Sequence, residues 1–300
     1  MIKMTNVFYN LVKRNVKLYF KDKVTFFMSL ITPFILLLLF LLFLKNVYMQ
    51  SLDQILATGN MIVPVKTKES FVAAWLISSI LSTSTITVSF CSATIIVSDK
   101  INRSGQDMKV APVSKWMLFL SYLVAVFFAT MIVMLCILVF GFVYLAIVGW
   151  YLSFTDVLQI ISCVVLLTLF GSVLSCIIFT FIKTQGGTSA VATLISSCYG
   201  FMSGAYMPLS QYPKVMAGIL GFNPGVYGTC ILKNAFMGGA IDAMNLPLQL
   251  SNEIKNGFDL NYFFFGNQVP IYLCFILLIS ITSILLITYI FIARFNKKHG

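Results

Sequence analysis

SDKINRSGQDMKVAPVS, residues 98–114, is a short polar stretch set between two long apolar runs. It carries Asp99, Lys100, Arg103, Asp107 and Lys109. A charge at the centre of a bilayer costs at least about 2.5–3.5 kcal/mol, so this stretch lies outside the hydrocarbon core while its flanks cross it. Reading outward from it, 59% of the chain is hydrophobic and only 10% charged, which excludes a soluble globule of 300 residues.

A helix rises about 1.5 Å per residue and the hydrocarbon core is about 30 Å thick, so roughly 20 apolar residues make one span. Six runs qualify: Val24 to Leu44, Phe71 to Val97, Trp116 to Val148, Val157 to Ile182, Thr188 to Met207 and Val269 to Ala293. They are too long and continuous for barrel strands. The expectation is an all-α polytopic membrane protein, one transmembrane domain over residues 1–300. Residues 1–23 form an amphipathic helix, 98–115 a polar inner loop, and 207–268 an outer region of re-entrant helices and loop.

Six spans put both termini on one side. That side carries 14 of the 20 Lys and Arg residues and, after its three carboxylates, the whole net charge of +11. Basic loops mark the cytoplasm, so both termini and the 98–114 stretch are expected inside a cell membrane. The basic balance reads as topology and contact with anionic lipid, with no nucleic-acid partner.

Residues 1–23 have too long a charged stretch for a cleavable signal peptide. Val7, Phe8, Leu11, Val12, Val16, Leu18 and Tyr19 supply an apolar side, with Lys13, Arg14, Lys17 and Lys21 elsewhere. This suits a helix in the headgroup plane, or a simple basic flank. Residues 46–70 read as a short outer loop, and Thr155 as a candidate cap of the fourth span.

The second span carries Ser78, Ser82, Thr85, Ser89 and Ser92, spaced four, three, four and three along one helix face. The fifth repeats the spacing with Ser189, Thr193, Ser196, Gly200 and Ser203. Two readings are open: walls of a polar-tolerant path, or small-residue faces for close helix packing. Residues 207–239 are apolar but cut by Pro208, Pro213, Gly218, Gly221, Pro224, Gly225 and Gly228. They read as two short folded-back helices, about Tyr212 to Leu220 and Gly225 to Met237.

Several chemistries are missing. There is no GxxxxGK[ST] loop for nucleotide, and no metal or catalytic constellation around the single histidine, His299. The seven cysteines show no CxxC spacing and read as packing residues. No carboxylate falls well inside a span, which argues against an ion-coupled carrier.

This arrangement resembles the permease subunits of type-2 ABC exporters. The matching features are the basic amphipathic helix before the first span, the polar inner loop after the second, GAYMPLSQYP (Gly204 to Pro213) followed by Asn223-Pro224, and folded-back helices before the last span. The inner loop offers Asp99, Lys100, Gly105, Asp107 and Pro112-Val113-Ser114; Asp99 stands where the family often has Glu, and residues 103–108 follow its pattern only loosely. The resemblance implies that Asp99, Lys100, Arg103, Gly105 and Asp107 couple to a separate ABC ATPase subunit. That subunit binds ATP and Mg; this chain holds no cofactor. It also implies a second permease copy or a related permease, with a path along the second and fifth spans. An amphipathic drug, peptide or lipid-linked substrate suits uncharged, hydroxylated faces, with a cell-surface polysaccharide as the alternative. A non-transporting membrane scaffold or sensor is the reading from another class.

Overall fold

The computed structural model describes residues 2–102 and 113–295, and they are almost wholly helical. In chain order the helices are α1 (Ile2–Lys21), α2 (Lys23–Leu39), α3 (Lys45–Thr58), α4 (Val65–Ile101), α5 (Lys115–Val148), α6 (Phe154–Phe181), α7 (Gln185–Met202), α8 (Lys214–Leu220), α9 (Pro224–Ala243), α10 (Leu248–Gly257) and α11 (Ile271–Phe295). A two-stranded antiparallel hairpin, β1 (Tyr262–Phe264) and β2 (Asn267–Val269), precedes α11. The chain is therefore an all-α polytopic membrane protein.

Among the described residues, five helices are long and apolar enough to cross a bilayer: Lys23–Thr58, α4, α5, α6 and α11. The hydroxyl-rich α7 is not among them, but its 18 residues reach about 27 Å, close to the core thickness. The helices α8 and α9 are bent by 99° to one another, which makes them the folded-back pair anticipated from the prolines and glycines.

The bundle is built around α4. Its most apolar window is 83% buried, against 12% for the first spanning helix, because α2, α5, α6, α7 and α9 all pack on it. A buried helix needs no amphipathic stripe. Its hydroxyls are tolerated because they bond backward to their own helix: Ser78 Oγ donates to Trp75 O at 2.8 Å and Thr85 Oγ1 to Ser82 O at 2.6 Å.

Three contacts gather one end of the bundle. Arg14 of α1 grips Asp99 at the end of α4, Lys100 reaches the last carbonyls of α6, and Arg294 of α11 lies over the Trp116 ring at the start of α5. The first and last described helices thus share an end with the stretch that follows α4. The opposite end is tied by Ser70 Oγ donating to Gly149 O at 2.7 Å and by Tyr48 Oη donating to Tyr206 O at 3.2 Å.

Several boundaries differ from the sequence reading. Residues 46–70 are mostly helix: Tyr48, Leu52 and Leu56, four apart, bury one face of α3 in the outer core, and α4 begins at Val65. The first spanning helix continues into α3 through a π-helical turn, Phe40–Leu44. The cap of α6 is Ser153, paired reciprocally with Asp156, and not Thr155. Residues 248–269 form α10 and the hairpin where a polar loop was expected, because Leu250 and Ile254 reach the core. The helix α1 packs along α5, with Tyr19 among Val88, Ala129 and Val133, so protein covers one edge.

The half of the bundle away from Asp99 holds a fully buried cation. Lys233 of α9 is 0% exposed; its ammonium donates to Gly204 O at 2.8 Å, lies 3.4 Å from Asp259 Oδ2 and stands 5.8 Å over the Trp75 ring. Asp259 also accepts from the backbone N–H groups of Leu209 and Ser210. Gly204 has φ +74, where a side chain is strained, so the GAYMPLS turn depends on this glycine and on the Lys233–Asp259 pair that holds it. Removing one partner of a buried pair leaves the other charge uncompensated, at a cost of about 3–5 kcal/mol. Asp259→Ala is therefore predicted to destabilise the detergent-purified chain by that amount in denaturant unfolding, while Lys233→Met costs less because two N–H groups still face Asp259.

Candidate functional site

Two features of α4 carry the functional argument. The first is the polar cluster at its C-terminal end. Asp99 is 5% exposed and sits two residues before the helix ends. Arg14 binds it with both arms, Nη1 to Oδ2 at 2.7 Å and Nη2 to Oδ1 at 2.9 Å, and Tyr122 of α5 donates its hydroxyl to Oδ2 at 2.7 Å. Such planar, two-armed pairing fixes angle as well as distance. Hydrogen bonding to Asp99 raises the Arg14 pKa above its ordinary value, so the guanidinium stays charged. Lys100 points to the other side: its ammonium caps the carbonyls of Phe179, Thr180 and Ile182 at 2.8, 2.7 and 3.3 Å. A cation at the open carbonyl end of a helix satisfies acceptors that have no partner of their own. Two adjacent residues therefore bind the end of α4 to α1, α5 and α6 at once.

Of the coupling residues read from sequence, the structure brings Asp99 and Lys100 together in this cluster, both engaged within the chain. Arg103, Gly105 and Asp107 lie outside the described residues. Arg14 and Tyr122 were missed. The signal for Arg14 was present, since it lies on the amphipathic helix among lysines, and arginine is the cation suited to bidentate pairing.

The second feature is a groove of about 1010 Å³ between α2 and α7, floored by α4. Thr25, Gln185 and Thr94 line one end and Phe40, Trp75 and Tyr206 the other, so it runs most of the length of α7. Among the described residues no charged side chain lines it. Ser189, Thr193 and Ser196 of the fifth-span stripe face it. Gly200 and Ser203 are buried beyond its wall; the Tyr206 ring lies directly on Gly200, a close approach that leaves no room for a side chain.

The second-span stripe does not face this groove. Ser78, Ser82, Thr85, Ser89 and Ser92 are at most 2% exposed and point into the protomer. Ser82 shares a hydrogen bond with Thr229 of α9 at 2.6 Å and Ser92 with Thr130 of α5 at 3.0 Å, while Ser89 packs on Gly171 of α6, where an added methyl would stand 2.8 Å from Oγ. Of the two readings left open for these five, path wall or packing face, the contacts within the chain are those of close helix packing. The residues of α4 that do reach the groove are Trp75, Leu76, Ser79, Thr87, Cys91 and Thr94.

A family model for the ABC-2 type transporter matches residues 6–237, from α1 through most of α9. The chain belongs to the ABC-2 type transporter family. Neither a curated protein nor a solved structure matches it. As an ABC-2 permease the chain is a transport component of the membrane, of a family that generally works with an ABC ATPase, and the Asp99 cluster stands where α4 enters the polar stretch that distinguishes it.

If the Arg14–Asp99 pair holds α1 in place, Asp99→Ala should release it, at about 1.5–3 kcal/mol for a lost charged hydrogen bond. Asn15, 2% exposed, reports this directly. In a cysteine-free background, Asn15→Cys should react slowly with a maleimide and at least several-fold faster once Asp99→Ala is added.

Proposed function

We propose that this chain is the membrane half of an ATP-driven exporter, working as two permeases, either copies of itself or one with a related permease, on two ATPase subunits that bind ATP and Mg. The stretch 98–115 rests on the ATPase at the cytoplasmic face. The excess of basic residues at the α1, α4 and α11 ends of the bundle supports that orientation. Arg103, Gly105 and Asp107 are offered for contact with the ATPase. Asp99 and Lys100 act one step behind them, as positioning residues that transmit the movement.

The observation that carries this reading is the inner cluster itself. Asp99 and Lys100 join the exit of the polar stretch to three other helices through six hydrogen bonds. A force on the stretch cannot displace α4 alone; it must carry α1 and the end of α6 with it. Because α4 also forms the floor of the groove, displacement at its inner end changes the width of the groove. Closure of the ATPases on ATP thereby reaches the path without the permease binding nucleotide.

The path is assigned to the α2–α4–α7 groove, with Ser189, Thr193 and Ser196 on its wall and the five α4 hydroxyls excluded. Its uncharged lining fits an amphipathic molecule with substantial hydrocarbon, such as a drug, an apolar peptide or a lipid-like compound. It does not favour a cell-surface polysaccharide, whose many hydroxyls need a continuous row of polar partners.

Affinity purification of the tagged chain from its own membrane should bring down a P-loop ATPase; a chain that purifies reproducibly without one is a scaffold or sensor instead. Within the complex, Thr193→Trp should preserve assembly and reduce transport-linked ATP hydrolysis several-fold. Ser82→Trp should overfill the α4–α9 contact at about 1–3 kcal/mol and lower folded yield. The opposite pattern returns the path to the second-span stripe.

A further inference from the structure

The groove narrows the substrate class further, on the reading that it is the export path. Among the described residues its lining is neutral. From Gln185 to Phe201 it follows 16 helical rises, about 24 Å, which exceeds one leaflet's half of the roughly 30 Å core. A pocket for a compact drug does not need such length, whereas an extended hydrocarbon chain lies in it lengthwise.

Among the described residues, cations outside any ion pair flank one mouth. Lys23 and Lys183 stand one and two residues from the groove-lining Val24 and Gln185, both exposed, and Lys21 lies just beyond. Among the described residues no ion pair holds any of the three. The carboxylate nearest in sequence, Asp22, is engaged as the cap of α2, accepting from Thr25 N and Thr25 Oγ1 at 3.2 and 2.7 Å. At the opposite end Lys45 is paired with Glu69 at 2.9 Å, and Lys233 is sealed beneath the turn at Gly204.

A third observation lies on the floor. Ser79 Oγ and Trp75 Nε1 belong to groove-lining residues, are buried, and have no hydrogen-bond partner. Both lie toward the outer end of α4. An unpaired buried donor costs about 1–3 kcal/mol, so a polar group arriving there gains partners that the apolar middle of the groove does not offer.

From these three observations we infer that the groove takes an anionic amphiphile of the inner leaflet, one long hydrocarbon chain lying between α2 and α7 with its negative head group at Lys23 and Lys183. Entry is sideways, because the exposed apolar flank of α2, with Met28, Ile31 and Ile35, borders the groove on the lipid side. The head group then has cations at its starting point and the Trp75–Ser79 donors near the far end.

The test uses the full chain alone in phosphatidylcholine vesicles, so it does not depend on the ATPase. The vesicles carry a trace of photoactivatable lipid with a diazirine in the acyl chain, as phosphatidylglycerol in one arm and as phosphatidylcholine in the other. Irradiation followed by peptide mapping should place the phosphatidylglycerol label on α2 and α7 residues of the groove, several-fold above the phosphatidylcholine label. The charge reversal Lys23→Glu with Lys183→Glu should reduce it to the phosphatidylcholine level, and Thr193→Trp should reduce both labels in the groove. Equal labelling by the two lipids overturns the inference, since the groove then holds only bulk lipid. Absence of label there, with Ser189→Cys forming a disulfide between two chains, also overturns it and makes the groove a contact between copies. Either failure leaves the ATPase partnership standing, because copurification decides that separately.

Discussion

A lone helix buried on every side cannot be stabilised by an amphipathic stripe, and in a bilayer each of its polar groups must find a partner within the protein. The helix Val65–Ile101 meets the first condition by being rich in serine and threonine, and most of its hydroxyls find a partner, Ser79, Ser84 and Ser89 excepted. Small side chains let α5, α6 and α9 approach closely, and hydroxyls that bond back to the preceding turn leave little polar surface to satisfy. The spanning helices α2, α5 and α6 pack directly on this one, while α11 packs on α6 and α9. At one end of it stand Asp99 and Lys100. Toward the other stands Trp75, beneath the ammonium of Lys233.

These two ends are built differently. The inner cluster uses exposed or half-buried cations on partners drawn from three helices, and a stretch of chain leaves it directly into the polar segment 98–115. The outer network is sealed: Lys233, Asp259 and Gly204 lock the turn that follows α7 onto α9 and onto the segment before the hairpin. On the proposed coupling, the Asp99–Lys100 end of α4 receives the force and the Lys233–Asp259 network holds the other end. The groove between α2 and α7 lies along the length of α4, closed above by Tyr206, whose carbonyl is held by Tyr48.

The fold was legible where apolar runs are long. The spanning helices α2, α4, α5, α6 and α11 follow from length and composition alone, and the bent pair α8–α9 from the prolines and glycines that forbid a continuous helix. The hydroxyl stripes were legible as spacing but not as contacts. Alignment on one face of α4 says nothing of what covers that face, and Ser79, Thr83 and Thr87 on its other faces are equally buried. The amphipathic α3 was hidden by its low hydrophobicity, since only Tyr48, Leu52 and Leu56 of its residues are fully buried. Lys233 reads as one more outer cation until α9 is seen to be buried; its signal is that it stands alone among uncharged residues from Pro224 to Ile241. Arg14 is indistinguishable in composition from the lysines around it, and only the geometry of Asp99 selects it.

The central claim is that the inner end of α4 moves the floor of the groove when the ATPases close. Spin labels at Met28→Cys on α2 and Thr193→Cys on α7, in a chain otherwise free of cysteine and assembled with its ATPase, report the groove width by pulsed electron resonance. The account predicts that the distance distribution shifts between the nucleotide-free complex and the complex trapped with ATP and vanadate, and that Asp99→Ala abolishes the shift while trapping still occurs. A distribution that does not change on trapping, or that changes equally with Asp99→Ala, contradicts it.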